Sequence, residues 1–320
     1  MTKLLSKNDI CQMASKWMPR LNGIGGVHYD TTDFFKIEYG DVVVLGEKAF
    51  FVRRNAREGR FGIDDEVKFW VKLCIDLQDG STKILKLEFF EKFQANIANF
   101  RFDCFRSPQK EARILDLAAG HGNFMQGYWE KDSAGNIVRI IDYIYGKSLH
   151  EFISDLAIDH ETYYYNNFPE IFFNFIECVK AIEFLHSHRE KHGDVRRDHI
   201  IIDRESNHYR WIDFDFNYIH KENMYSYDLF GLGNILMFIS GKGDVLLNDL
   251  KKKMPSVFDV LEEKDLNIVF NNRLANLKKV YPYIPESLNR ALLHFSKGAE
   301  LFYENATHLL SDLEEIYDEL

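Results

Sequence analysis

The hydrophobic and polar positions in the first part of the chain follow a pattern that is typical of β-strands. Between about residues 34 and 90, two segments, DVVVLGEKAFFVRR and VKFWVKLCIDLQDGSTKILKLEFF, carry this pattern on both sides of a short polar turn. The first turns at Gly46-Glu47-Lys48 and the second at Asp79-Gly80, so each predicts a β-hairpin. Residues 1–36 read as a helix followed by a glycine-containing loop.

One helix and a third hairpin follow these strands. Ser107 and Pro108 have the residue types of a helix N-cap and of the first helical position, and an apolar face continues through Ile114. The segment NFMQGYWEKDSAGNIVRIIDYI then predicts a hairpin that turns near Ala134-Gly135-Asn136. The helix is therefore inserted between strands of one β-rich region.

After Gly146 the pattern changes to the period of helices. Apolar residues recur at helical spacing from Ile171 to Leu185, just behind Pro169. We also predict helices at 227–240, 256–264, 285–296 and 303–319. A β-rich first part and a helical second part predict the α+β class, with two lobes and a cleft between them.

Composition and charge limit which partners and which cellular compartment are expected. The 320 residues are 46% apolar and 28% charged, which is typical of a globular protein, and the net charge of −10 argues against nucleic acid or an anionic membrane as the main partner. The four cysteines have no metal-ligand spacing, and the longest apolar run, Leu229–Ile239, is too short to span a bilayer. The N-terminus lacks the apolar core of a signal peptide. We therefore expect a soluble cytoplasmic protein with reduced thiols.

Four charged residues occur in an order that suits phosphoryl transfer from ATP. Lys86 lies in a predicted strand, Glu111 in the first turns of the next helix, and Asp194 and Asp213 in later loops. The reaction needs a strand lysine for the α/β-phosphates and a helix acid that holds this lysine. It also needs one loop aspartate for the attacking hydroxyl and a second for the metal ion. An alternative is open for the segment HGDVRRDHIIID, which also reads as a polar turn before a buried strand.

Longer segments around these residues resemble the protein-kinase-like superfamily over roughly residues 40–320. Residues 110–153 resemble the αC helix, the next strand pair and the hinge of a kinase, and 181–194 (AIEFLHSHREKHGD) resemble the entry to the catalytic loop. Residues 284–316 are similar to the closing helices of Ser/Thr protein kinases. The resemblance implies a bilobal protein-kinase-like fold. Its parts would be an N-terminal helical extension (1–37), an N-lobe (38–142) and a C-lobe (143–320).

The resemblance also implies a role for each charged residue. Lys86 and Glu111 would be the ion pair that holds ATP phosphates, Asp194 the catalytic base and Asp213 the metal-binding acid. Arg196 would act with Asp194 in the catalytic loop. In addition, the resemblance makes Asp142 to Ile144 the hinge that binds adenine through its backbone, and Asp228 a brace beneath the catalytic loop.

Two segments compete for the loop that covers the phosphates. REGRFG keeps Gly59 and Gly62 of the family's glycine-rich loop, with Arg57 in place of the first glycine. The rival LGEKAFF keeps only Gly46. We favour Gly59 and Gly62 because that choice leaves the expected number of strands before Lys86.

The catalytic loop departs from the family at the second metal ligand. His199 stands where the family has asparagine, and Mg²⁺ prefers oxygen, so the cofactors implied are ATP with Mg²⁺ or Mn²⁺. The alternative is that His199 is only a packed histidine.

Two further departures concern substrate and regulation. Gly193 replaces an arginine with which many protein kinases recognise a phosphorylated activation loop. The resulting His-Gly-Asp resembles the catalytic loop of aminoglycoside phosphotransferases. Only fifteen positions separate Asp213 from Asp228, which leaves no room for a long activation loop.

The sequence thus predicts an ATP-dependent phosphotransferase. Its partners would be ATP and a hydroxyl-bearing acceptor, first of all Ser/Thr hydroxyls on a protein, with no nucleic acid or membrane. A small-molecule kinase resembling aminoglycoside phosphotransferases is the first alternative. The second is a nucleotide-binding pseudokinase that acts as an interaction module.

Overall fold

The computed structural model describes residues 5–19, 23–60, 63–97, 100–219 and 223–320. Contacts divide the chain into two compact units that are discontinuous in sequence. The first consists of Met1–Glu91, Arg106–His121 and Met125–Ile144, and the second of Lys92–Phe105, Gly122–Phe124 and Tyr145–Leu320. The lobe boundaries predicted above stay a prediction.

The first unit is built on one seven-stranded sheet. Its order is β1-β2-β3-β4-β5-β9-β8, with the β1–β2 pair parallel and the other pairs antiparallel. The strands are β1 (Val27–His28), β2 (Val42–Leu45), β3 (Lys48–Arg60), β4 (Ile63–Asp76), β5 (Thr82–Lys86), β8 (Gly127–Lys131) and β9 (Ile137–Asp142). The hairpins β2–β3, β4–β5 and β8–β9 are the three that the sequence predicted.

Two helices, α1 (Lys7–Trp17) and α2 (Pro108–Leu117), belong to this unit. Helix α1 packs Ile10 and Ala14 against one set of strand side chains, while the alternate residues of the same strands form a second apolar cluster. Strands β2 and β3 are apolar at successive positions because both of their faces are covered. Helix α2 begins as predicted, with the Ser107 hydroxyl accepting a hydrogen bond from the N–H of Lys110.

The second unit is mainly helical. Its principal helices are α3 (Leu149–Ser154), α4 (His160–Asn166), α5 (Phe168–Ser187), α6 (Ser226–Ser240), α7 (Leu247–Lys253), α8 (Pro255–Phe258), α9 (Glu286–Leu293) and α10 (Ala306–Tyr317). A small sheet of order β10-β11-β12 is formed by β10 (Gly146–Ser148), β11 (Ile200–Asp203) and β12 (Tyr209–Trp211). The α+β class and the order of a β-rich part before a helical part are confirmed.

A further three-stranded sheet was not predicted. Its order is β13-β7-β6, formed by β6 (Lys92–Ile97), β7 (Phe100–Arg106) and β13 (Phe216–Ile219). Phe102 of β7 is fully buried and its ring meets the rings of Tyr218 and Tyr227 edge-on. Residues Phe216–Ile219, shortly after Asp213, therefore form a strand of a sheet.

The helix predicted over 256–264 is wrong. Helix α8 ends at Phe258, and a separate 3-10 turn covers Glu263–Asp265. The buried carboxylate of Asp265 accepts a hydrogen bond from the N–H of Glu262, which starts the new turn and stops the helix from continuing. Among the described residues, no helix has the length and apolar character needed to cross a membrane.

Candidate active site

The predicted pair of Lys86 and Glu111 is present in the first unit. Lys86 is the last residue of β5, and Glu111 lies in the first turn of α2. The Lys86 Nζ donates to Glu111 Oε1 over 2.8 Å, and the two residues are only 6% and 0% exposed. Such a short contact between buried charges fixes both side chains.

A third charged residue completes this cluster, and the sequence analysis missed it. Arg139 of β9 is the direct cross-strand partner of Lys86, and its Nε donates to Glu111 Oε2 over 3.1 Å. The two oxygens of Glu111 are thus held by cations from two different strands. The available signal was a single charge inside the apolar stretch IVRIID.

Two of the residues assigned to nucleotide binding, Asp142 and Gly59, lie on the same sheet as Lys86. Asp142 ends β9, its N–H donates to the carbonyl of Gln126, and its carboxylate pairs with Lys83 Nζ at 2.6 Å. Ile144 is the last residue of the first unit. Gly59 lies in β3 at a shift in the β3–β4 register, whereas Gly62 lies outside the described residues.

The register favours one of the two rival glycine segments. Thr82 pairs with Ile75 of β4 and Lys86 pairs with Val71, so β5 runs toward the end of β4 that begins at Ile63 and pairs with Arg60. Gly46 lies at the opposite end of these strands, in the β2–β3 turn. The end of β5 that carries Lys86 therefore points toward the segment with Gly59.

Asp228 fixes the loop before Asp194 by hydrogen bonds to its backbone, as predicted. The fully buried Asp228 carboxylate accepts hydrogen bonds from the N–H groups of His192 at 2.8 Å and Gly193 at 2.9 Å, and pairs with His186 Nε2 at 3.1 Å. Gly193 has φ +89°, a conformation that favours glycine. The backbone conformation therefore accounts for glycine at this position.

Arg196 and Asp198 form a close pair beside Asp194. The Arg196 Nε donates to Asp198 Oδ1 over 3.0 Å, and a second guanidinium nitrogen bonds Oδ2. A third nitrogen, Nη1, lies 3.8 Å from Asp194 Oδ2. Asp198 thus orients a guanidinium toward the predicted base.

His199 lies between the two predicted catalytic aspartates. Its Nδ1 is 2.9 Å from the carbonyl oxygen of Asp194, and its Nε2 is 3.8 Å from Asp213 Oδ2. Because a carbonyl oxygen only accepts, Nδ1 must carry the hydrogen, and in the neutral ring the lone pair of Nε2 then faces Asp213. Asp213 itself has φ +68°, an uncommon backbone conformation for an aspartate.

Burial and local charge act differently on the carboxylates. Burial raises the pKa of Asp194 above its ordinary value, although His199 and Arg196 oppose the shift. For Asp198, burial would also raise the pKa, but the neighbouring His199 and the hydrogen bond and charge of Arg196 outweigh this effect, so the pKa is lowered. Asp194 is therefore the better proton acceptor, and Asp198 stays ionised beside Arg196.

The donor set suits a divalent ion that takes further ligands from phosphate. No group of three or more His, Cys, Asp or Glu side chains is arranged to hold a metal in the described ranges. Asp213 and His199 supply one carboxylate and one imidazole nitrogen, and ions at ATP sites commonly use one or two protein carboxylates plus phosphate and water oxygens. An imidazole donor fits Mn²⁺ better than Mg²⁺.

Comparisons with known proteins return a likeness in structure alone. No family model matches the sequence, and no curated protein matches it. Among solved structures, the chain is similar to a cysteine-to-alanine mutant of the PknI kinase domain of Mycobacterium tuberculosis, with 13% identity and a TM-score of 0.48. The match covers 83% of this chain and 95% of that one.

Proposed function

We propose that this protein is an ATP-dependent phosphotransferase of the protein-kinase-like superfamily, acting first of all on Ser/Thr hydroxyls of a protein. The observation that carries the proposal is the buried Lys86–Glu111 pair between a strand and the next helix. A loop with Asp194 and a second loop with Asp213 follow it in chain order. This is the set of groups that phosphoryl transfer requires.

The assigned roles follow from the chemistry of each side chain. ATP would supply the transferable phosphoryl group, and a bound divalent ion would neutralise negative charge on its phosphates. Lys86, held by Glu111, binds the α/β-phosphates, while Asp213 and His199 hold the ion. The segment with Gly59 and Gly62 covers the phosphates, and the backbone from Asp142 to Ile144 binds adenine.

Asp194 and Arg196 act on the reacting groups. The Asp194 carboxylate orients the acceptor hydroxyl and takes its proton as the oxygen attacks the γ-phosphorus, while the bond from the γ-phosphorus to the β–γ bridging oxygen breaks and ADP leaves. Burial raises the pKa of Asp194, which makes its carboxylate a stronger base. The Arg196 guanidinium stabilises charge that develops on the transferred group.

A second candidate is a small-molecule kinase. It is supported by Gly193 in the His-Gly-Asp loop, by strand β13 (Phe216–Ile219), which begins three residues after Asp213, and by the short distance in sequence from Asp213 to Asp228. The small-molecule candidate keeps every catalytic role and changes only the acceptor.

Labelled ATP tests both candidates in one experiment. The purified chain is incubated with Mg²⁺ or Mn²⁺ and with mixed protein, Ser/Thr peptide or hydroxylated aminoglycoside acceptors. Label in protein or peptide supports the first candidate, and label in the aminoglycoside supports the second. Lys86→Met must remove the signal, whereas Lys48→Met, in the same sheet and bonded to the Tyr128 hydroxyl, must keep it. Nucleotide binding without transfer under any condition would instead identify a pseudokinase.

A further inference from the structure

Arg139 is a buried charge in the middle of an apolar strand. It is 1% exposed, and its neighbours Val138 and Ile140 belong to the apolar cluster of the sheet. Lys86 lies directly opposite on β5, so two cations occupy paired positions on neighbouring strands. Like charges placed opposite each other destabilise a sheet unless a counter-charge lies between them.

Glu111 is that counter-charge. Its Oε1 accepts from Lys86 and its Oε2 accepts from Arg139, so one carboxylate joins both strands to helix α2. The guanidinium is also fixed to the backbone, since Nη1 donates to the carbonyls of Leu87 at 3.2 Å and Ile137 at 2.9 Å. Arg139 therefore has a single orientation, aimed at Glu111.

We propose that Arg139 is a positioning residue for the phosphotransferase reaction. It holds the Glu111 carboxylate against the sheet, so the Lys86–Glu111 contact persists in the free protein and Lys86 is oriented before nucleotide arrives. The inference rests on the proposed function, since it assigns Arg139 a part in the same site.

The physical basis is the cost of separating these groups. If α2 moved its first turn away from the sheet, the guanidinium of Arg139 would stay buried without its carboxylate. An unpaired buried charge is strongly destabilising. With Lys86 alone, Glu111 would have one anchor on a flexible side chain. Arg139 supplies the second anchor, because its planar guanidinium is already hydrogen-bonded to the backbone.

A double-mutant cycle on activity tests this role. We would measure kcat, the KM for ATP and the melting temperature for wild type, Arg139→Met, Glu111→Gln and the double variant. We expect each single variant to lower kcat about 30-fold or more, with a smaller change in KM. The double variant should be within about threefold of the worse single one, because both act through the same contact.

Two further variants separate positioning from general support of the fold. Arg139→Lys keeps a cation near Glu111 but cannot bond Glu111 and both carbonyls together, so it should recover only about threefold of the lost kcat and stay about tenfold below wild type. Arg106→Met removes another buried arginine of the first unit, which ends strand β7 of the three-stranded sheet and pairs with Glu91, and should lower the melting temperature while leaving kcat within about threefold. If Arg139→Met does not fold, the comparison of Arg139→Lys with wild type carries the test.

The outcomes distinguish this inference from the proposed function. Two results would show that Arg139 only supports the fold: losses of kcat that multiply in the double variant, or a kcat within about threefold of wild type for Arg139→Lys or Arg139→Met. Either result would overturn the inference and leave the proposed function intact. Absence of phosphoryl transfer by the wild type would overturn the proposed function and the inference with it.

Discussion

The two charged clusters of this chain contrast in composition and in exposure. In the first unit, Lys86, Glu111 and Arg139 combine two cations with one carboxylate, and their side chains are at most 7% exposed. The cluster of the second unit is richer in carboxylates and more open. Its members are Asp194, Asp198, Asp213, Arg196 and His199, with side chains 6% to 29% exposed.

The difference suits two different tasks. In the first cluster, every named charge has a partner within 3.1 Å, so its geometry is fixed before any ligand arrives. In the second, His199 Nε2 and Asp213 stand 3.8 Å apart, which is wider than a hydrogen bond and leaves room for an ion to draw them together. We interpret the first as a preorganised phosphate anchor and the second as a reactive, ion-dependent site.

The largest effect is expected at the anchor. Lys86→Met should abolish phosphoryl transfer, because no other group supplies its compact ammonium. The free energy of unfolding should fall by less than about 3 kcal/mol, since Glu111 keeps its bond to Arg139 and is not left as an uncompensated charge. Initial rates with labelled ATP measure the activity, and unfolding in urea measures the free energy of unfolding. Measurable transfer by the variant, with Lys48→Met as control, would remove Lys86 from the anchor.

At the reactive cluster, Asp194→Asn should lower kcat by about 10²–10⁴-fold, because the amide cannot take the hydroxyl proton. The affinity for nucleotide should stay within about threefold of wild type, as the loss falls on the chemical step. Steady-state kinetics and calorimetric nucleotide titration measure the two quantities. Asp203→Asn, at the end of β11, is the matched control. A parallel loss of nucleotide binding would assign Asp194 to the ion or to the fold.

A smaller effect is expected on metal preference. His199→Ala should raise the metal concentration for half-maximal activity by about 10–100-fold, because one ligand is lost. His199→Asn restores an oxygen donor and should shift preference from Mn²⁺ toward Mg²⁺. Metal titrations at fixed ATP give both results. Unchanged metal dependence in the alanine variant would mean that His199 is only a packed histidine. Asp213 would then be the one residue of the second cluster assigned to the ion.

The smallest effect concerns another buried cation of the first unit. Lys72 Nζ donates to the carbonyls of Phe34 and Ile37 and to Asn55, and burial lowers the pKa of Lys72 to about 8. Between about pH 8 and its ordinary value of 10.5, the unfolded chain binds more protons at this lysine than the folded chain does. The contribution of Lys72 to stability therefore rises with pH through that window and is lost as pH falls to 8.

Chemical unfolding of wild type and Lys72→Met at several pH values isolates this contribution. The difference in unfolding free energy between the two proteins should change across the window from pH 8 to 10.5 and be flat below it. A difference that is flat throughout would mean that Lys72 titrates alike in both states.

Much of the anchor could be predicted from sequence because its signals are local. Lys86 stands at the end of an alternating strand, and Glu111 follows an N-cap serine and a proline. Arg139 could not be assigned, because its role depends on the register that places it opposite Lys86. Pairing between strands that are distant in sequence is not written in the pattern of either strand.

The second unit shows the same limit. The strand β7 has visible alternation at Phe100, Phe102 and Cys104, but its partner β13 lies more than a hundred residues later. The role of His199 depended on which ring nitrogen bonds the Asp194 carbonyl, and only the folded loop determines that. Helix 256–264 failed for a related reason, since Asp265 captures a backbone N–H that a continuous helix would need.

The backbone of Gly193 limits how this catalytic loop can change by mutation. At φ +89° a residue with a Cβ is strained, and an arginine there would cost about 1–2 kcal/mol before making any contact. The N–H of Gly193 also bonds Asp228, so relaxing the strain would loosen the brace of the whole loop. Replacement of Gly193 by the arginine found in many protein kinases is therefore expected to lower the stability of the loop.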